Sequence, residues 1–216
     1  MTKTLPVLGI AHAVLFPGMR CSVALVNARA RAAVDEALES ASAEFAVVAA
    51  RPGSFLDPDP HELFDVGTLA AIHAVVHRPC CGRLVADIET RERVRVVAWT
   101  RDVPFREASC EVLVDPDEDR VQLRQLAQAI VDATRQLHSL FPTCRHTLRS
   151  VAAARAAQGP EAFSGVVSEL LQHIPLPELQ ALLERSPLSA RLEATLAELR
   201  TRLAHSGDPM GPPTFH

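Results

Sequence analysis

The stretch "HAVVHRPCC" places two histidines and two cysteines within a short span, and these are side chains that bind zinc. On a strand, His73 and His77 would share one face, and a turn could bring Cys80 or Cys81 back towards them. Zinc sites, however, favour Cys or His pairs separated by two to five residues, and adjacent cysteines seldom both bind one ion. We therefore interpret the stretch as a polar strand edge with two turn thiols, and predict neither a metal nor another cofactor.

Three alternating arginines, Arg91, Arg93 and Arg95, are predicted to project from one face of a strand. Such a stripe can bind RNA phosphates, particularly beside aromatic rings that stack on bases. Acidic residues are interleaved here, only Trp99 offers a ring nearby, and the chain carries a net charge of -4. We favour structural ion pairing and keep RNA binding as the alternative.

The segment "GSFLDPDPHELF" carries large apolar side chains on a backbone rich in proline. Apolar residues on a loop can bind unfolded polypeptides, because such recognition needs apolar area rather than sequence readout. They can equally fold back onto the protein. The candidate binding residues are Phe55, Leu56, Leu63 and Phe64.

Motifs for nucleotide-dependent or nucleophilic catalysis are missing from the sequence. It has no G-x-x-x-x-G-K-[ST] phosphate loop and no G-x-S-x-G motif, and Lys3 is its only lysine. We predict that this chain is not an enzyme.

The first half of the chain has short Val-rich segments separated by Gly or Pro, which indicates strands. One helix interrupts them: Asn27 is its predicted N-cap, and Ala30, Val34, Ala37 and Leu38 form its apolar stripe. The predicted strands are 5–10, 20–26, 44–50, 66–76, 83–90, 93–99 and 107–114.

From Asp115 onwards the apolar period becomes helical. Asp115 is predicted to cap a helix of about 25 residues, with Pro116 at its first position and Pro142 ending it. Four further helices are predicted, in "TCRHTLRSVAAARAAQG", in the segment around Phe163–Ile174, in "LPELQALLER" and after Pro187. Their wide apolar stripes must pack on one another, which predicts a helical bundle.

The 216 residues, 48% hydrophobic and 22% charged, have ordinary globular composition. No apolar run is long enough to span a membrane, and the first residues show no secretory signal. Five cysteines, an odd number, fit reduced thiols. We expect a cytoplasmic location and no membrane partner.

Four segments in the same order resemble the Lon N-terminal (substrate-binding) domain family. They are "LPVLGIAHAVLFPGM", "FDVGTLAAIHAVV", "TRERVRV" and "HIPLPELQALLERSPLSARLEATLAEL", and the resemblance covers residues 5–203. It implies an α+β fold with a PUA-like β-barrel (pseudo-barrel) over 1–115 and an α-helical bundle over 116–206, leaving 207–216 as a disordered tail. Phe16, at the Phe-Pro-Gly corner, would then plug the barrel end or stay partly exposed and join the binding surface.

For function, the resemblance implies a non-catalytic domain that binds unfolded or hydrophobic protein segments. Such a domain could act as an adaptor or regulator of a separate ATP-dependent protease, or belong to a full-length Lon protease as a fragment. The family's ATPase and Ser–Lys protease modules are absent from these 216 residues.

Overall fold

The computed structural model describes residues 2–54, 57–78, 82–140, 167–171 and 174–205. It confirms the α+β class, with the strands and one helix in the first half and the other helices in the second. The strands are β1 Thr2–Ile10, β2 Arg20–Ala24, β3 Glu44–Ala49, β4 Val66–Arg78, β5 Arg83–Arg101 and β6 Arg106–Leu113. The helices are α1 Ala28–Glu39, α2 Arg120–Leu140, α3 Val167–Leu170, α4 Leu176–Glu184 and α5 Leu188–His205, with a short 3₁₀ turn at Pro60–Glu62.

The strands form one mixed sheet in the order β2-β5-β4-β3-β1-β6, in which β1 and β3 are parallel. A further pairing between β5 and β6 curls the sheet back on itself, which gives the pseudo-barrel. The sheet is not a closed barrel, because β2 pairs with β5 alone and lies at an open end of the strand order.

One long strand, β5, replaces the two strands predicted at 83–90 and 93–99. Its first part pairs with β2 and β4, and its last part pairs with β6. Register shifts between Thr68 and Ala70 on β4, and again between Val96 and Ala98 on β5, let it bend without ending. The prediction of two strands was wrong because the polar run around residue 91 lies in a bulge rather than in a turn.

The Phe-Pro-Gly corner before β2 is held by Thr90 of β5. The N–H of Gly18, whose φ is 84°, donates to the Thr90 carbonyl at 2.9 Å. The Thr90 hydroxyl donates to the Phe16 carbonyl at 2.5 Å and accepts from the Met19 N–H at 2.9 Å. These bonds direct Phe16, which is 0% exposed, into the interior, as the first of its two predicted roles requires; it does not stay partly exposed.

Helix α1 begins where the sequence predicts, because the Asn27 side chain accepts a hydrogen bond from the Ala30 N–H at 2.7 Å. Ala30, Val34 and Ala37 are buried as expected. Leu38 is 47% exposed, so its place in the apolar stripe was wrong; it follows Ala37 at the edge of the buried face.

Replacing Asn27 with alanine removes this cap and leaves the Ala30 N–H without its partner. We expect the free energy of unfolding to fall by about 1 kcal/mol, measured by urea denaturation. Replacing Asn27 with serine or aspartate, which can also cap, should cost much less. Equal losses for alanine and serine would contradict the capping role.

Helix α2 begins at Arg120, four residues later than predicted, because Asp115 is engaged elsewhere. The start is instead at Asp119, whose side chain accepts from the Val121 N–H at 2.8 Å. The helices predicted in "LPELQALLER" and after Pro187 are confirmed as α4 and α5. The helix predicted in "TCRHTLRSVAAARAAQG" lies outside the described residues, as do most of the next one and the 207–216 tail.

The largest core cluster joins the helices to the sheet. Residues Val14, Phe16, Ala49 and Val66 from the sheet half are buried in it. They meet apolar side chains from every helix after α1, including Ile130, Leu171, Leu183, Leu192 and Leu199. A second cluster packs α1 on the sheet, and a third fills the interior around β1, β3 and β6.

Candidate functional site

The apolar loop, defined as residues 53–64, leaves β3 and returns to β4. Its two ends are paired: the Arg51 N–H donates to the Glu62 carbonyl at 2.7 Å, and the Phe64 N–H donates to the Ala49 carbonyl at 3.0 Å. Gly53 has φ of 90°, a conformation that a side chain would strain. The loop therefore starts and ends in fixed positions.

A buried arginine of β6 anchors the middle of the apolar loop. Arg106 has a side chain only 4% exposed, and its Nη1 donates to Asp57 at 2.8 Å. Its Nη2 and Nε lie 3.5 Å from Asp59 and 3.3 Å from Asp102, as ion pairs. Arg29 of α1 adds ion pairs to Asp57 at 3.3 Å and to Asp102 at 2.6 Å. Two basic side chains from separate elements thus fix the loop just after its Phe-Leu pair.

Pro58 and Leu63 of the apolar loop pack directly on β1. A Cβ atom added to Gly9 would lie 3.0 Å from Leu63 Cδ2 and 3.1 Å from Pro58 Cγ, so glycine permits this contact. Leu63 is 1% exposed. It was a candidate binding residue, but in this structure it has no surface to offer a partner, because it fills the third core cluster.

Phe64 is half-buried, and the Arg51 guanidinium lies over its ring at 4.8 Å from the centroid. The contact is a cation–π interaction at the surface, and Phe64 also packs against the first and third core clusters, so only part of its side chain is exposed. Phe55 and Leu56 lie outside the described residues. Phe16 is enclosed between the sheet and the helices, so among the described candidates only Phe64 reaches the surface.

The three candidate RNA-binding arginines do not share a face. Residues 91 and 92 of β5 lie opposite Leu69 alone, because Thr68 pairs with Arg93 while Ala70 pairs with Thr90. This bulge breaks the expected alternation. Arg91 pairs instead with Glu44 at 2.9 Å, and Arg95 is exposed.

Arg93 points into the protein, where its side chain is 3% exposed. Its Nη1 donates to the backbone carbonyls of Leu183, Glu184 and Arg185 at 3.1, 3.3 and 3.0 Å. These are carbonyls at the C-terminal end of α4, where a cation is favoured by the helix dipole. Arg93 therefore holds α4 on the sheet and cannot contact a phosphate.

Asp115, in the segment between β6 and α2, completes this contact. Its carboxylate accepts from Arg93 at 2.6 Å, from Arg191 of α5 at 2.5 Å and from the Ser186 hydroxyl at 3.0 Å. Arg191 also donates to the Arg185 carbonyl at 2.6 Å. We name Arg93, Asp115 and Arg191 the inter-element ion cluster.

Burial by itself raises the pKa of Asp115, but the hydrogen bond and charge of Arg191 and the charge of Arg93 outweigh it. The pKa of Asp115 is therefore below its usual value. Burial, and then the charge of Arg191, lower the pKa of Arg93. Asp115 therefore stays ionised at neutral pH, and the ion cluster ties the sheet, the linking segment and α5 together.

His73 and His77 lie on opposite faces of the sheet, so the prediction that they share one was wrong. The register shifts between Ile72 and Ala74, which makes His73 an extra residue in a bulge. The His73 ring lies 3.2 Å from Glu89. Cys80 and Cys81 lie outside the described residues, and in the described part no three His, Cys, Asp or Glu residues are grouped to hold a metal.

Lys3 and Cys110, two groups that could in principle do chemistry, instead make structural contacts. Lys3, the only lysine, pairs with Glu44 at 2.9 Å. Cys110 is fully buried in the third core cluster, and burial raises the pKa of its thiol to about 11.

No helix within the described ranges is long and apolar enough to cross a bilayer.

The ion cluster was missed from the sequence, since Asp115 with Pro116 after it has the pattern of a helix start. Its partners are 22 and 76 residues away along the chain. One feature of the sequence could have indicated the cluster. Arg93 lies in a strand with many apolar residues, and a buried arginine needs a carboxylate partner.

Comparisons with known proteins agree with this architecture. The sequence profile of the family described as "ATP-dependent protease La (LON) substrate-binding domain" matches residues 4–201. Lon protease 1 of Thermus thermophilus is 27% identical over 198 residues, which are 90% of this chain and 24% of that protein. Lon protease of Rhizobium meliloti is 26% identical over 197 residues, with the same coverage of 90% and 24%. The chain thus spans about a quarter of the length of these relatives.

Solved structures share the fold. The N-terminal domain of Mycobacterium avium complex Lon protease superposes with a TM-score of 0.66 at 18% identity, covering 92% of this chain and 98% of that one. A Lon N-terminal domain protein from Xanthomonas campestris gives 0.59 at 22% identity, covering 90% and 98%.

Proposed function

Because the chain belongs to the family of Lon substrate-binding domains, we propose that it binds unfolded or hydrophobic segments of other proteins through the apolar loop. The observation that carries the proposal is that Arg106 and Arg29 anchor this loop at Asp57. Aromatic residues lie on both sides of this anchor in the sequence, Phe55 before it and Phe64 after it. The described part of the loop, fixed in this way, loses little conformational entropy when the protein binds a segment. Its apolar residues can therefore contribute most of their contact energy to the complex.

We further propose that the chain holds such segments without cleaving them, and that an ATP-dependent protease acts on them. That protease is either a separate protein, for which this chain is an adaptor or regulator, or further modules of the same polypeptide. The relatives of which this chain matches a quarter are named Lon protease, which supports both forms. A cytoplasmic location is part of the same proposal.

RNA binding has lost its structural support. Arg93 is committed to the C-terminal end of α4, and Arg91 is committed to Glu44. Arg91 and Arg95 are both exposed, but with Arg91 paired to Glu44 only Arg95 remains of the predicted stripe, and one arginine does not make a phosphate-binding stripe.

The binding proposal is tested by replacing Phe55, Leu56 and Phe64 together with serine. The probe is fluorescein-labelled α-lactalbumin that has been reduced and carboxymethylated, so that it cannot fold. We expect the dissociation constant measured by fluorescence anisotropy to rise at least tenfold, which corresponds to about 1.4 kcal/mol. A tenfold rise is a conservative expectation, because fully burying even one apolar side chain contributes about 1.5–3 kcal/mol.

The matched control replaces Leu38 and Val97 with serine, because both are exposed apolar residues outside the loop. This control should bind the probe as the unaltered protein does. A Phe55→Ser and Leu56→Ser double variant, with Phe64 kept, guards against loss of stability. Unchanged affinity in both loop variants would show that the apolar loop does not bind the probe.

A further inference from the structure

Strand β2 is an open sheet edge. It pairs with β5 over Arg20–Ala24 without a register shift and has no second strand among the described residues. Natural proteins usually protect such edges with very short strands, charged side chains, proline, a bulge or a covering element, and of these β2 has one charged side chain, that of Arg20. The sequence "RCSVA" contains neither proline nor lysine, and the pairing contains no bulge.

The hydrogen bonds at its two ends show which backbone groups face outwards. The Thr90 N–H donates to the Met19 carbonyl, and the Leu25 N–H donates to the Leu84 carbonyl, both at 2.9 Å. In an antiparallel pair, alternate residues bond to the partner strand, so odd-numbered residues here face β5. The N–H and C=O groups of Arg20, Ser22 and Ala24 therefore point away from the sheet.

The side chains beside this edge differ between the two faces. Cys21 and Val23 lie opposite Ile88 and Ala86, and they are half-buried against the second core cluster. That cluster thus continues up to the open edge. A strand added there would place alternate side chains next to Cys21 and Val23, where apolar groups extend the core.

The other face of the same region carries more positive than negative charge. Arg20 is 76% exposed at its side chain and pairs with Glu89 at 2.8 Å. Two more arginines, Arg78 and Arg83, are directly opposite each other on β4 and β5, a repulsive arrangement, with Asp87 near Arg78 at 3.6 Å. Acidic side chains on this face of an added strand would be attracted.

We propose that the β2 edge binds an extended segment of an unfolded polypeptide as an additional strand. Its apolar residues lie beside Cys21 and Val23, and its polar or acidic residues lie on the arginine face. The inference rests on the proposed function, that protein segments are bound, and adds a second mode of contact to the apolar loop. Backbone hydrogen bonds give this mode affinity for many sequences, with alternation as its main requirement.

The test replaces Ser22 with proline and, as the matched control, with alanine. Both changes remove the hydroxyl that bonds Asp87, but only proline removes the outward N–H and fills its place with a ring. Proline is tolerated on an edge strand where its nitrogen faces solvent, so the pairing with β5 is retained. With the unfolded α-lactalbumin probe, we expect Ser22→Pro to bind at least tenfold more weakly than Ser22→Ala.

Amide hydrogen exchange of the unaltered protein gives a reading that needs no variant. Added probe should slow exchange at Arg20, Ser22 and Ala24 and change Cys21 and Val23 little, because the latter two already bond to β5. Equal affinity of the two Ser22 variants, or no slowing at the three outward amides in the complex, would overturn the edge proposal.

Other outcomes separate this inference from the proposed function. If the apolar-loop variants lose affinity while Ser22→Pro does not, the loop binds segments and the edge does not. If the unaltered protein binds no probe, the proposed function itself fails. If the outward amides become protected with rising protein concentration and no probe, the edge pairs with a second copy, which also overturns the proposal.

Discussion

Replacing Gly67 with alanine is expected to lower the free energy of unfolding by about 3 kcal/mol or more. A Cβ at this position would clash mainly with backbone, which cannot move aside as a flexible side chain can: it would lie 2.2 Å from the Val47 carbonyl oxygen and 3.1 Å from the Val47 carbonyl carbon, and also 2.9 Å from Val48 Cγ2. The oxygen belongs to β3, which pairs with β4 at Val47 and Thr68. Relieving the clash requires β3 and β4 to move apart, which weakens their pairing in the middle of the sheet.

The measurement is urea denaturation followed by the fluorescence of Trp99, the single tryptophan. Gly9→Ala is the matched control, since its added Cβ would meet side-chain atoms of Leu63 and Pro58 at 3.0 and 3.1 Å, which can move. We expect the Gly9 variant to lose much less stability. If both variants unfold at the same urea concentration, the close approach of β3 to Gly67 is not what requires glycine.

Replacing Asp115 with asparagine should cost about 3 kcal/mol of folding free energy, the lower end of the range for breaking a buried ion pair. The side chains of Arg93 and Arg191 are each only 3% exposed and would keep their charges without a carboxylate. Asp115 itself is 24% exposed, which moderates the loss through contact with water. The control is Asp132→Asn, because its pair with Arg135 is exposed and should contribute less than about 1 kcal/mol.

The same variant has a defined pH dependence. Since the pKa of Asp115 is lower in the folded protein than in the unfolded chain, its carboxylate stabilises the fold above the unfolded pKa. That contribution is lost as pH falls through the folded pKa. The stability difference between the unaltered protein and Asp115→Asn should therefore be constant near neutral pH and shrink below about pH 4. A difference that persists undiminished at pH 2 would contradict this assignment.

Local patterns in the sequence predict the elements of this fold well. Asn27 as a cap, the leucine spacing of α5 and the Val-rich strands all depend on neighbours a few residues away, and the structure confirms them. The two bulges, at His73 and around Arg91, depend on how β4 and β5 pair, which no local pattern records. Each bulge moves a side chain to the other face of the sheet. The two histidines of the candidate metal site and the arginines of the candidate stripe therefore do not share a face, contrary to the prediction from the sequence.

The candidate binding surface was predicted only in part. An apolar loop is visible from composition, but the burial of Leu63 depends on Gly9, which is far away in the chain. The open edge at β2 could not be seen either, because strand order is a property of the whole sheet. Phe55 and Leu56 keep the role that the sequence predicts for them, and the serine variants test it.

The position of Phe16 has a consequence for cooperativity. Phe16 belongs to the sheet half but is buried among leucines of the helical half. Arg93 of β5 makes a second contact between the halves, because it donates to the carbonyl of Leu183. Melting of either half would expose apolar surface of the other among the described residues, so we expect the two halves to unfold together although the secondary structure changes near residue 115. A pulling force applied to a segment held at the sheet would therefore be shared by the whole molecule.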